Sequence, residues 1–154
     1  MTDTSAPTTF QIMTRYSVTL PPRILAGLRR ETGAAAPAEC CGALIGEVHR
    51  TEIEVRNMIP VPNTAHDLSS YRIDADVVRR LERQANAAGQ QVVGFYHSHP
   101  TATAEPSVRD VADAVPGYVY LIVDGTTGGV RCWRLREDRS GFSELPVALL
   151  AGTP

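Results

Sequence analysis

Lysine is absent from the 154 residues; all 15 basic residues are arginine. No lysine Schiff base, lysine general base or phosphate-loop lysine is therefore available. Cysteine is scarce, with three residues, Cys40, Cys41 and Cys132. An odd, low count without a Cys-x-x-Cys pair excludes a disulfide framework, a thiolate zinc site and a dithiol redox motif. Charge of one sign is lacking too: 15 basic and 17 acidic residues give a net charge of −2. A strongly basic nucleic-acid binder is not expected from that balance, nor a polyacidic tail protein. No apolar run approaches the 18 residues of a membrane span, and the first 15 residues lack a basic start followed by an apolar stretch. The expectation is a chain acting in a reduced cytoplasm, away from membranes.

What is present is ordinary globular composition, 43% hydrophobic and 21% charged. The length suits one domain, and a chain of this size buries roughly 70% of its unfolded surface, enough to fold without a staple. Residues 1–15, rich in Thr, Ser, Pro and Ala, read as a loose arm, 16–147 as one domain and 148–154 as a tail. Alternation over 16–20 predicts a strand. Pro21 and Pro22 then open a helix carrying Ile24, Leu25 and Leu28, with Gly33 as its stop. The run CGALIGEV at 41–48 predicts a buried strand. Residues 52–59 predict its antiparallel neighbour, with Ile53, Val55, Asn57 and Ile59 on one side. Residues 60–70 read as a loop. Asp74 is the expected cap of a helix carrying Val77, Val78, Leu81, Ala85 and Ala88, and Gly89 its stop. Strands follow at 92–96, 118–123, 130–135 and 142–145. A short helix from Ser107 carries Val108, Val111, Ala112 and Val115 on one face. The pattern is α/β, a single mixed sheet with helices packed on it.

The chemistry concentrates in His97-Ser-His99-Pro100, followed at a distance by Ser107-x-x-Asp110. Two histidines at i and i+2 on an extended chain point to one face and offer two nitrogens to one ion. Asp110, one turn into the next helix, offers a carboxylate. Two imidazoles and a carboxylate suit Zn²⁺, and three protein ligands leave a fourth position open, the mark of a catalytic site. Ser107-x-x-Asp110 before an apolar run also reads as a helix capping box. The two readings are compatible, because Ser107 can cap while Asp110 ligates.

This string resembles the JAMM (MPN+) zinc metalloproteases, whose motif is an upstream Glu, His-Ser/Thr-His-Pro, and then Ser-x-x-Asp at a fixed distance. The upstream acid here is Glu39, immediately before CGALIGEV. The resemblance runs from about residue 16 to 147 and implies an MPN domain with helices on both sides of its sheet, resembling the cytidine-deaminase-like fold. It implies that His97, His99 and Asp110 bind one zinc ion. It also implies that Glu39 takes a proton from the attacking water and delivers it to the leaving amine, and that Ser107 donates to the developing oxyanion. The segment HSHPTATAEPS is similar to the branch that frees cysteine from a sulfur-carrier conjugate. The implied activity is cleavage after the C-terminal Gly-Gly tail of a ubiquitin-like or sulfur-carrier protein. The insertions by which eukaryotic members grip a second ubiquitin have no counterpart.

Two other function classes compete. A non-catalytic MPN scaffold typically loses the zinc ligands or the Glu, and this chain keeps them all. A non-haem iron oxygenase also uses two His and a carboxylate, but it gives Glu39 and Ser107 no job. His49 and His66 stand alone in turn and loop segments and read as surface residues. Cys41, on Glu39's side of the strand, reads as a small buried residue. Trp133 and the tyrosines read as core or sheet-surface residues.

Overall fold

The computed structural model describes residues 15–151. All but the last residue of the expected arm, and residues 152–154 of the expected tail, lie outside the described residues. In chain order the elements are β1 (Ser17–Leu20), α1 (Pro22–Ala35), β2 (Cys41–His49), β3 (Glu52–Val61), α2 (Ala75–Ala87), β4 (Gln91–His99), α3 (Val108–Asp113), β5 (Val119–Asp124), β6 (Val130–Leu135), β7 (Phe142–Leu145) and β8 (Val147–Leu149). The eight strands form one sheet in the order β7-β6-β5-β4-β2-β3-β1-β8. It is mixed: β4–β5, β1–β3 and β1–β8 are parallel and the other pairs antiparallel.

The edge strands β7 and β8 are consecutive in the chain, separated by Pro146 alone. A flat eight-stranded sheet would hold its edges about 33 Å apart. One residue reaches roughly 3.5 Å, so the sheet curls until its edges approach. Ile24 and Leu28 of α1 pack into a core with Val18, Leu121, Cys132 and Leu145, drawn from strands at both ends of the sheet, which places α1 inside the curl. Leu81 and Ala85 of α2 pack on the opposite face with Ala43, Val92 and Phe95. Helices thus cover both faces. No described helix is long and apolar enough to cross a membrane.

Several local expectations are corrected. Gly33 does not stop α1, which runs on to Ala35. The stop is Pro37, which pushes the preceding Ala36 out of the helical region to ψ 137°. Asp74 does stand at the start of α2 but makes no side-chain cap; its carboxylate accepts from Thr64 Oγ1 at 3.1 Å instead. Strand β4 continues through His99 rather than ending at Tyr96. Of the apolar face expected on α3 only Val111 packs against the core; Val108 is 89% exposed and Val115 is exposed too. At the expected boundary between domain and tail, β8 pairs with β1 as the outermost strand.

Strand β3 does not keep its apolar residues on one side. Ile53 and Val55 join the core around α1, whereas Ile59 packs on the other face and Asn57 is exposed. The cause is a bulge: Ile45 pairs with Asn57 and Gly46 with Val55, leaving Arg56 as an extra residue. On the other flank of β2, Leu44 pairs with Gly94 and Ile45 with Val92, leaving Val93 extra. Both neighbours bulge against the same stretch of β2, and Gly46 permits it. A Cβ there would lie 1.8 Å from the Glu54 carbonyl oxygen. Gly46→Ala is therefore expected to cost about 1–3 kcal/mol and to lower the melting temperature by several degrees in calorimetry. An unchanged melt would show that the bulges adapt freely.

Candidate metal centre

Strand β4 is extended through its last residue, so His97 and His99 project to one face and Ser98 to the other. Its antiparallel partner sets what lies opposite. Cys41 pairs with His97, and the Ser98 N–H continues the ladder by donating to the Cys40 carbonyl at 3.1 Å. One step further along this register places Glu39 beside His99. The Ser98 side chain reinforces the junction from the opposite face: its Oγ accepts from the Cys40 N–H at 2.9 Å. The middle residue of His-Ser-His thus anchors the segment that carries the acid.

Asp110 arrives from α3. Ser107 Oγ accepts from the Asp110 N–H at 3.0 Å, and the Ser107 N–H donates to Asp110 Oδ2 at 2.7 Å. The capping box read from the sequence is present. The same carboxylate faces both histidines, with Oδ1 3.2 Å from His97 Nε2 and Oδ2 3.2 Å from His99 Nε2. Capping and contact with both imidazoles are therefore combined on one side chain. The loop joining β4 to α3 is held from β6, where Trp133 Nε1 donates to the Ala104 carbonyl at 2.9 Å. That loop supplies the Thr103 carbonyl, to which His99 Nδ1 donates at 2.7 Å. With Nδ1 carrying the proton, Nε2 keeps its lone pair and faces the cluster.

The donor atoms of His97, His99 and Asp110 all lie within 4.8 Å of one another, and among the described residues this is the group placed to hold a metal ion. The electrostatics suit one. Burial pushes His97 below the usual histidine range, so it is a neutral imidazole. Burial also opposes the His99 cation, but Asp110, the Thr103 carbonyl and Glu39 outweigh it and raise that group. Burial works against the Asp110 anion as well; the adjoining His97 and His99 side chains overcome it and hold the carboxyl far below its usual range. Cys41, on the same face, is pushed up to about 12 by burial and by the neighbouring Cys40 and Glu39. Its thiol donates to the Val61 carbonyl at 3.6 Å, and it is not part of the group of His97, His99 and Asp110.

Glu39 is buried, and its Oε2 has no hydrogen-bond partner. Burial, aided by the Asp110 and Asp67 carboxylates and opposed by His99 and Arg109, pushes it up to about 7. A buried carboxylate oxygen with an open lone pair, beside a cluster of two imidazoles and a carboxylate, can receive a proton from a water molecule there.

The isolated histidines stay apart from this centre: His49 pairs with Glu47 at 3.0 Å and His66 is exposed. Glu105 reaches Arg131 at 3.3 Å on the surface. Two contributors are not visible in the sequence. Tyr71 stacks on His97, with centroids 4.3 Å apart and planes inclined by 19°. Asn63 bridges the Glu39 and Ser70 carbonyls, donating at 3.1 and 3.0 Å. Both lie on the connection from β3 to α2, where composition signals only a loop.

Residues 21–136 match the family of prokaryotic homologues of the JAB domain. A desampylase of Haloferax volcanii is 37% identical over 101 residues, 64% of this chain and 71% of that one. A probable TtuB-protein conjugate cleaving protease of Thermus thermophilus is 34% identical over 116 residues, 72% and 74% of the two chains. A CysO-cysteine peptidase of Mycobacterium tuberculosis is 33% identical over 88 residues, 56% and 59% of the two chains. The solution structure of a protein from Desulfitobacterium hafniense shares the fold, with a TM-score of 0.79, 22% identity, and coverage of 88% of this chain and 94% of that one. Matched over three quarters of its length, with the fold and a buried His-His-Asp cluster in place, the chain belongs to the prokaryotic JAB-domain family.

Proposed function

We propose that the protein is a zinc-dependent peptidase or isopeptidase that hydrolyses the bond following the C-terminal Gly-Gly tail of a ubiquitin-like or sulfur-carrier protein, releasing cysteine, another amino acid or a conjugated protein. The observation that carries this reading is the unpartnered, buried Glu39 carboxylate beside the cluster of His97, His99 and Asp110. An inert metal site has no use for it. The names of the relatives, a conjugate-cleaving protease and a CysO-cysteine peptidase among them, support the substrate class. Three free, buried thiols suit a reduced cytoplasm.

His97 Nε2, His99 Nε2 and Asp110 would hold the zinc. When bound, zinc supplies a Lewis acid that polarises the scissile carbonyl and acidifies water. Glu39 accepts the water proton as the oxygen adds to the carbonyl carbon. It then delivers that proton to the amine nitrogen as the C–N bond breaks. Ser107 Oγ already accepts from the Asp110 N–H, so its own O–H remains to donate to the oxyanion. The capping box orients that hydroxyl at the edge of the cluster.

The direct test is mass spectrometry of a Gly-Gly-ended carrier protein extended by cysteine, incubated with the zinc-loaded enzyme. Removal of cysteine is expected, and Glu39→Gln should lower the rate by at least about 10²-fold with zinc content unchanged. Full zinc occupancy without cleavage of any Gly-Gly-ended conjugate would favour a binding scaffold.

Ser107→Ala separates capping from catalysis. Loss of the cap costs about 1 kcal/mol. Loss of the oxyanion donor lowers kcat by roughly 10²-fold or more with KM little changed. Both effects are expected, with zinc retained. A lower melting temperature with normal kcat would leave Ser107 as a cap alone.

A further inference from the structure

We propose that Asn63 is a positioning residue that holds Glu39 and Tyr71 as one unit against the two histidines, an inference that rests on reading the site as a zinc peptidase. An asparagine side chain offers two N–H donors and a carbonyl with two lone pairs. Asn63 uses all four. Its Nδ2 donates to the Glu39 carbonyl at 3.1 Å and to the Ser70 carbonyl at 3.0 Å. Its Oδ1 accepts from the N–H groups of Ala65 and Arg72, each at 3.0 Å.

These four bonds have two consequences for the site. The first concerns Glu39. The Glu39 carbonyl and the Cys40 N–H belong to one peptide group. Asn63 holds its oxygen and Ser98 Oγ holds its N–H at 2.9 Å. A planar peptide gripped at both ends cannot rotate, so the Glu39 side chain leaves the backbone in a set direction. The second concerns Tyr71. Ser70 and Arg72 are its two chain neighbours, and Asn63 bonds to both. Thr64 adds a bond from its N–H to the Arg72 carbonyl at 3.1 Å. The loop is thereby closed around Tyr71, whose ring lies on His97.

The stack matters because His97 lacks the usual tether. A metal-binding imidazole is ordinarily oriented through its second nitrogen. His99 follows that rule through Nδ1 and the Thr103 carbonyl. His97 Nδ1 is buried and has no hydrogen-bond partner. Its ring is steadied by the face of Tyr71. One side chain at the end of β3 therefore governs the proton acceptor beside one histidine and the support of the other. Aspartate could still accept from Ala65 and Arg72, but it would present a carboxylate to two carbonyl oxygens.

The experiment compares wild type, Asn63→Asp, Asn63→Ala, Tyr71→Phe and Tyr71→Ala by three readouts. These are zinc affinity by chelator competition with zinc alone, kcat and KM on the Gly-Gly-cysteine carrier, and the thermal melt. Asn63→Asp is expected to weaken zinc binding about 10-fold or more, the effect of an outer partner of a metal ligand. Its kcat should fall at least about 10-fold with KM within about threefold, since transition-state geometry is what is lost. Tyr71→Phe, which keeps the ring, should hold zinc like wild type, whereas Tyr71→Ala should not. A merely structural Asn63 would lower the melting temperature while folded molecules kept wild-type zinc affinity and kcat; that result overturns the proposal. If Asn63→Ala fails to fold, the Asp variant decides. A wild type that binds zinc but cleaves nothing would defeat the peptidase reading, and the zinc affinities would still decide the role of Asn63.

Discussion

The two histidines and the acid beside them depend on the antiparallel register of β2 against β4. Cys41 lies opposite His97, and the Ser98 N–H closes the ladder on the Cys40 carbonyl. Because side chains alternate, this register settles three directions at once. His97 and His99 face the cluster, Ser98 faces back to the Cys40 N–H, and Glu39 comes to rest beside His99. A slip of one residue would turn both histidines toward the core around α1 and Ser98 toward the metal centre. The bulges at Arg56 of β3 and Val93 of β4 both lie further along β2, so the stretch that carries the site stays in regular pairing.

Asp110, the third candidate ligand, is placed by different means. Helix α3 has six residues, of which the half-buried Val111 packs against the core, so core packing does little to hold it. Its ends hold it. The capping box closes its first turn, Ala114 is buried just past its end, and the Val115 N–H donates to Tyr120 Oη at 2.8 Å. Upstream, Trp133 holds the approaching loop at Ala104. Asp110 therefore reaches the histidines from a short segment fixed at both ends, and its carboxylate is shared between cap and cluster. This explains why the exposed Val108 and Val115 contradict the apolar face that their helical spacing suggests. The spacing reports a helix, but such a short helix held by its termini need not bury a face.

The metal cluster was legible because its signal is local: period two over His97-Ser-His99, then a cap signature that lands Asp110 one turn into a helix. The Gly89 stop is legible for the same reason. Glu39 was visible only through resemblance, since the register that brings it to His99 is a long-range pairing. Helix α1 runs past Gly33 because that glycine fits a helix interior and Pro37 is the stronger terminator. The reversal of faces along β3 was unreadable because one extra residue, Arg56, inverts the alternation without leaving a compositional mark. Tyr71 and Asn63 were hidden in a stretch whose Pro, Asn and Ser content says loop and nothing about which carbonyls a single amide will bridge.

The central claim is that the ion is held by two imidazoles and a carboxylate, with the nearby Cys41 thiol, turned to the Val61 carbonyl, outside the ligand set. X-ray absorption at the zinc edge of the zinc-loaded protein tests this directly. The account predicts only nitrogen and oxygen neighbours at about 2.0–2.2 Å, with the outer-shell scattering of two imidazole rings. A sulfur neighbour at about 2.3 Å would place a cysteine in the coordination shell and contradict the assignment.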